Sequence, residues 1–195
     1  MLIICGTARS AIVHISFSGQ DYEKRIQSVK ELKEKGVMLQ TDEFTCGVAA
    51  LATLLSAYGD DTVTEEDLLA QEKDLERGKG ITLLQLKILA EKRGFKAEGY
   101  RMDLVNLFDF KKPMLLHIRA GDEGHYVVFK GIYKDRIYLA DPAAGNVRMS
   151  LEDFGRIWTG VVLAIESRNG QELVNVFDPP AFAQPEMIAV KVKRR

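Results

Sequence analysis

The chain has 195 residues, with 27 Lys+Arg against 28 Asp+Glu and a formal net charge of −1. That length suits one domain with short appendages, and 46% hydrophobic with 28% charged residues excludes a disordered or fibrous chain. The near-neutral balance leaves no basic nucleic-acid footprint apart from the last few residues. Two cysteines, Cys5 and Cys46, make neither a disulfide framework nor a four-cysteine zinc site. The longest uncharged run, Phe44 to Gly59, falls short of the roughly 20 apolar residues a spanning helix needs.

Met1 to Ala8 is uncharged but lacks a basic segment before it. It reads as a first strand or as the tail of an export signal whose start lies upstream. Ala11 to Phe17 alternates apolar and small polar residues, as a short strand does, and Ser18-Gly19 ends it. Asp21 to Lys35 is charge-rich, with Ile26, Val29 and Leu32 at helical spacing and Gly36 as a stop, which predicts a surface helix. Cys46 to Tyr58 puts Val48, Leu51, Leu54 and Leu55 on one face and alanines on the rest. A helix apolar nearly all round belongs in a core, and Gly59 is its stop.

Thr64 opens a helix with an acidic first turn. Gly78 and Gly80 mark a loop, and Thr82 with Gln85 forms a capping-box pattern that opens Leu83 to Arg93, closed by Gly94. From Phe95 the texture changes. Phe95 to Arg101, Met114 to Ile118, Tyr126 to Tyr133, Ile137 to Ala140 and Val161 to Ile165 read as strands, with Lys134-Asp135-Arg136 as a tight hairpin and Leu151 to Trp158 as a short helix. Helices in the first half and an antiparallel sheet in the second predict an α+β fold. The tail from Phe177, with Pro179, Pro180 and Pro185, reads as an extended appendage. The expected organisation is an N-terminal extension over 1–36, a central domain over 37–167 and a C-terminal extension over 168–195.

Cys46 begins an apolar helix, where outward-pointing N–H groups and the helix dipole favour thiolate over thiol. Gly47 beside it leaves room for a substrate backbone. A buried structural cysteine is the competing reading. His125 follows a turn and opens a strand, where its ring can reach a cleft; His14 and His117 lie inside apolar strands and read as packed side chains. The hairpin through Lys134-Asp135-Arg136 brings Asp141 back beside His125, in an approximate or bulged register, where its carboxylate can hold the imidazole; an Asp-Pro turn is the alternative. Gln40, six positions before Cys46, can loop back so that its amide joins the Cys46 N–H in an oxyanion hole, or it is an ordinary loop residue. The order Gln, Cys, His, Asp is the papain-type arrangement. Gly47, Gly124 and Tyr126, beside the two reacting groups, are candidate substrate-binding positions.

Gln40 to Leu51, Lys79 to Leu86, Ala90 through Gly94-Phe95, Gly124 to Phe129 and Ala140 to Gly145 together resemble the bacteriocin-processing, double-glycine cysteine peptidase family, over about Val37 to Glu166. The resemblance implies a papain-like fold and cleavage of leader peptides after a Gly-Gly pair. It also implies Cys46 as nucleophile, His125 as general base, Asp141 as its orienter and Gln40 as oxyanion donor. Two departures stand out. Thr45 replaces the acidic residue that many members carry before the cysteine. No Gly-x-x-x-x-Gly-Lys-Ser/Thr loop for ATP is present, so the chain resembles the stand-alone branch, part of which is exported and linked to secreted amyloid or pilus-like systems.

The partners expected on this ground are a peptide or protein substrate, such as a secreted or fibre-forming protein, or its export machinery. No nucleic acid, metal or other cofactor is expected. The expected location is periplasmic or otherwise exported, with the cytoplasm as the alternative. Two other functions fit the same residues: a non-catalytic module that binds leader peptides or cargo, and a papain-like amidase or deubiquitinase-like hydrolase with another pocket.

Overall fold

A computed structural model describes residues 10–17, 20–58, 63–72, 80–110 and 112–167. The expectations for the stretch around Cys5, for Ser18-Gly19, Gly59 and Gly78 and for the C-terminal tail lie outside the described residues.

The centre is a six-stranded sheet of order β3-β8-β4-β5-β6-β7. Its strands are β3 (Phe95–Arg101), β4 (Met114–Ala120), β5 (Glu123–Tyr133), β6 (Arg136–Asp141), β7 (Gly145–Ser150) and β8 (Trp158–Ser167). Every pairing is antiparallel. Three helices pack on one face: α2 (Cys46–Ser56), α3 (Glu65–Leu69) and α4 (Leu83–Lys92). Their core includes Leu51, Leu54, Leu55, Leu86 and Leu89, set against Leu115, Tyr126, Val128, Ala140 and Leu163 of the sheet. The other face is covered by α5 (Leu151–Ile157) and a 3-10 turn (Leu104–Asp109), with Phe154 and Leu107 against Leu116, Val127, Phe129 and Val162. This is the α+β arrangement that the segregated pattern predicts.

The local signals explain the helix limits. Thr82 accepts from the Gln85 amide and Gln85 reaches back to Thr82, and Gly94 at φ 86° turns the chain out of α4. Thr64 and Asp67 make the same box for α3. The β5–β6 hairpin turns at Lys134, a non-glycine residue at φ 56°. Its register shifts between Phe129 and Gly131, so of the approximate or bulged register that the spacing of His125 and Asp141 allows, the hairpin takes the bulged one.

The N-terminal region differs from expectation. Asp21 to Lys35 is not one helix. Gln20–Gln27 is a strand, β2, paired antiparallel with β1 (Ser10–Phe17) from Ser10↔Gln27 to Phe17↔Gln20. Only Val29–Glu34 is helical, as α1, and it starts at Ser28, whose hydroxyl accepts from the Glu31 amide in a capping box. The apparent period from Ile26 spans that cap. Cross-strand hydrogen bonding decided the state of a segment whose own pattern was ambiguous. The edge strand β7 also escaped prediction, because Asn146, Arg148 and Ser150 interrupt its apolar signal.

Candidate active site

Cys46 is the first residue of α2, a helix buried from Cys46 through Leu55. Packing therefore fixes the direction of the helix, and the sulfur stands where the helix dipole is positive. The approach to it is folded by short bonds. The Thr45 hydroxyl donates to the Asp42 carbonyl at 2.9 Å and accepts the Asp42 amide at 3.2 Å, and the Phe44 amide donates to the Asp42 carboxylate at 3.2 Å. Thr45 is itself buried, so the residue that replaces an acidic side chain before the cysteine clamps this turn. Further along α2, the Thr53 hydroxyl accepts the Met38 amide and ties the incoming loop to that helix.

His125 and Asp141 arrive on neighbouring strands. Val128 pairs with Ala140. Continuing that register puts Asp141 opposite Val127, two residues from His125 and on the same side of its strand. His125 Nε2 donates to Asp141 Oδ1 at 2.9 Å. The same oxygen accepts the Ala143 amide at 2.8 Å, so the Asp-Pro turn and the carboxylate's role as a histidine partner coexist. Nε2 being engaged leaves Nδ1 for Cys46, to which the His125 side chain is hydrogen-bonded.

The electrostatics follow from this chain of contacts. Burial pushes the Cys46 thiol up, but the bond to His125, the Tyr126 amide, the imidazolium charge and the Gly47 amide outweigh it, and the net shift is downward. Burial pushes His125 down, yet its bonds to Asp141 and Cys46 carry it up to about 9. Burial raises Asp141, and its bond to His125 with the histidine's charge brings it below the ordinary carboxylate value. All three directions favour a thiolate–imidazolium pair braced by a carboxylate.

Gln40 reaches the same neighbourhood by another route. Its amide N–H donates to the Pro142 carbonyl at 3.0 Å, which docks it on the loop after Asp141. Its Nε2 donates to the Asp42 carbonyl at 2.9 Å, using one of two hydrogens. Its Oε1 is buried with no partner among the described residues.

The remaining candidates are closely packed. A Cβ on Gly47 would run into Ile81 and crowd Tyr126 and Leu86, so the core uses the space that this glycine leaves. A Cβ on Gly124 would collide with the His117 ring. Tyr126 is buried, its ring 5.0 Å from that of His117 in an edge-on contact and its amide facing the Cys46 sulfur. His117 is half-buried; its Nδ1 lies 3.0 Å from the Thr159 hydroxyl, which itself donates to the His117 carbonyl. His14 is exposed on β1 opposite Glu23, not packed as its apolar neighbours suggest.

Sequence reasoning missed Glu65. It is buried, and its carboxylate accepts the Thr41 amide at 3.1 Å, pinning the Gln40–Cys46 loop from α3. No local signal separates it from the other acids of that helix start. Among the described residues no cluster of three or more His, Cys, Asp or Glu could hold a metal, and no helix is long and apolar enough to cross a membrane.

The family model described as the peptidase C39 family matches residues 34–170. The chain is 30% identical to a probable functional amyloid protease, FapD, of Pseudomonas fluorescens, over 92% of this chain and 83% of that protein. It is 33% identical to the lactococcin-G-processing and transport ATP-binding protein LagD of Lactococcus lactis, over 66% of this chain but only 18% of that longer protein. Among solved structures, the peptidase domain of Streptococcus ComA, a bifunctional ABC transporter of a quorum-sensing pathway, superposes with a TM-score of 0.63 at 28% identity. That match covers 69% of this chain and all of the domain. A double glycine motif protease from an AMS/PCAT transporter, in complex with its leader peptide, superposes with a TM-score of 0.60 at 30% identity, over 67% and 90%.

Proposed function

This chain belongs to the peptidase C39 family and is a cysteine peptidase of papain-like fold; we propose that Cys46, His125 and Asp141 are its catalytic triad and that it cuts its substrate after a Gly-Gly pair. The observation that carries this reading is the bonded series Cys46–His125–Asp141 at the start of a buried helix, with thiol and imidazole both shifted toward their charged forms.

The Cys46 thiolate attacks the carbonyl carbon of the residue before the scissile bond, forming a C–S bond while the carbonyl electrons move to oxygen. The Cys46 N–H and the second Nε2 hydrogen of Gln40 are the donors for that oxyanion. As the tetrahedral intermediate collapses, the C–N bond breaks and His125 gives its proton to the leaving amine. Water, deprotonated by the now neutral His125, then attacks the thioester and releases the carboxylate product and the thiolate. Asp141 keeps the ring oriented through both half-reactions.

A Gly-Gly preference is supported by the leader-bound double-glycine relative. The Pseudomonas relative, named for a functional amyloid, supports a secreted, fibre-forming protein as the substrate class and an exported location for this enzyme. The test is cleavage of peptides that carry Gly-Gly before a variable residue, with products mapped by mass spectrometry beside a Cys46→Ala control. Cutting after the pair, lost on the order of 10⁴-fold or more in the control, is the expected outcome. Cutting with no preference for small residues would favour a different papain-like hydrolase. Tight peptide binding without turnover would favour a leader-binding module.

A further inference from the structure

An open groove of about 610 Å³ lies between the loop that leads into Cys46 and the turn that follows Asp141, walled by Leu39 to Phe44 on one side and by Pro142 and Ala143 on the other. It runs into a second hollow of about 320 Å³, which shares Leu39 and Ala143 and is completed by Val29, Lys30, Lys33 and Glu34 of α1. Val29 is 73% exposed and Leu39 39% exposed, so two apolar side chains stand uncovered along one trough. No residue of α1 is buried. Most of that helix precedes residue 34, where the family match begins, while the match to the Pseudomonas fluorescens relative covers 92% of this chain.

We propose that this trough, extended by α1, holds the segment of substrate that follows the scissile bond. The inference rests on the triad reading above. His125 must hand its proton to the leaving amine, so the part of the substrate after the cut lies on the His125–Asp141 side. The groove opens on that side: Pro142 and Ala143 follow Asp141 directly, and Gln40, bonded to Pro142, lines the opposite wall. Asp42 and Glu43 line this groove with negative charge, and hydrolysis creates a new ammonium on the leaving segment. Val29 and Leu39 then offer an apolar seat farther along, and Lys33 favours an acidic residue beyond it. The occupant is an extended chain with an apolar side chain several residues past the cut. α1 thus acts in specificity rather than in bond cleavage.

Two substrates separate these roles. Both carry the same residues up to Gly-Gly; one ends there in a small fluorogenic amide, and the other continues for eight residues that include a leucine and then a glutamate. Val29→Asp is expected to raise KM for the long peptide about tenfold, worth about 1.4 kcal/mol, with kcat and the short amide little changed. Val29→Ser should act in the same direction more weakly. In the Cys46→Ala protein, fluorescence anisotropy with the labelled carboxyl-side peptide should show the same loss of affinity for Val29→Asp. Equal KM values for variant and wild type on the long peptide overturn the proposal, as does an equal change on both substrates. If neither substrate is cut while Val29→Asp still weakens binding of the carboxyl-side peptide, the peptidase reading of this site fails and the groove assignment stands.

Discussion

Helices α1 and α2 flank the same loop and are held in opposite ways. α2 is buried from Cys46 to Leu55 and is fixed by apolar packing on the sheet. α1 buries nothing and is held by polar ties at its C-terminal end. Asn146 of β7 donates to the carbonyls of Leu32 at 3.1 Å and Lys35 at 2.9 Å, while its own oxygen accepts from the buried Lys130 at 2.7 Å. Gly145 makes the approach possible, because a Cβ there would strike the Lys33 carbonyl. The difference suits the roles proposed for them. A nucleophile must be placed to within a fraction of an ångström, which close packing supplies. A helix that lines a groove for a passing chain needs only to be tethered.

Breaking the packed side should cost most. Leu54 is fully buried, and Leu54→Ala should lower stability by about 2–5 kcal/mol, read by urea denaturation; a loss well under 1 kcal/mol would show that α2 is not held by its core.

The loop between the helices comes next. Gln40→Ala should slow turnover on the order of 10²–10³-fold, worth about 2.7–4 kcal/mol of transition-state stabilisation, with peptide binding retained. Equal kcat values for variant and wild type would remove Gln40 from the oxyanion site.

The pH profile sharpens the electrostatic side. Activity should rise as Cys46 ionises below a thiol's ordinary value and fall as His125 deprotonates near 9. Asp141 raises the His125 value, so Asp141→Ala should move the alkaline limb to lower pH; a limb that stays in place would detach Asp141 from the imidazole. The same shift bears on folding. His125 binds its proton more tightly when folded than its ordinary 6.5, so its contribution is complete below about 6.5 and fades as pH rises through about 9.

The smallest effect is expected on the tethered side. Asn146→Ala removes three hydrogen bonds, one of them to an ammonium, and should cost about 1–3 kcal/mol. Limited proteolysis should then cut near α1 while the core domain resists. Unchanged protease resistance around residues 28–36 would mean that α1 is held by something other than Asn146.

Much of this was legible before any fold was known, for a physical reason. Caps, stops and periodicity act over a few residues, so Thr82 with Gln85, Gly94, the apolar stretch after Cys46 and the Lys134 turn declare themselves locally. The spacing of His125 and Asp141 across the hairpin left the register open between approximate and bulged. Interactions between distant segments left no such mark. Pairing with β1 turned Gln20–Gln27 from helix to strand, β7 took shape only as an edge beside β6, and Glu65 clamps Thr41 from twenty-four residues away.

The residue types and their order pointed to a thiol, an imidazole, a carboxylate and an amide in one site. That the imidazole spends Nε2 on Asp141, that the Gln40 amide leans on Asp42, and that α1 walls a hollow with Leu39 and Ala143 were decided by tertiary structure alone. A hydrogen bond's geometry depends on how two separately folded segments are brought together, and no local pattern carries that.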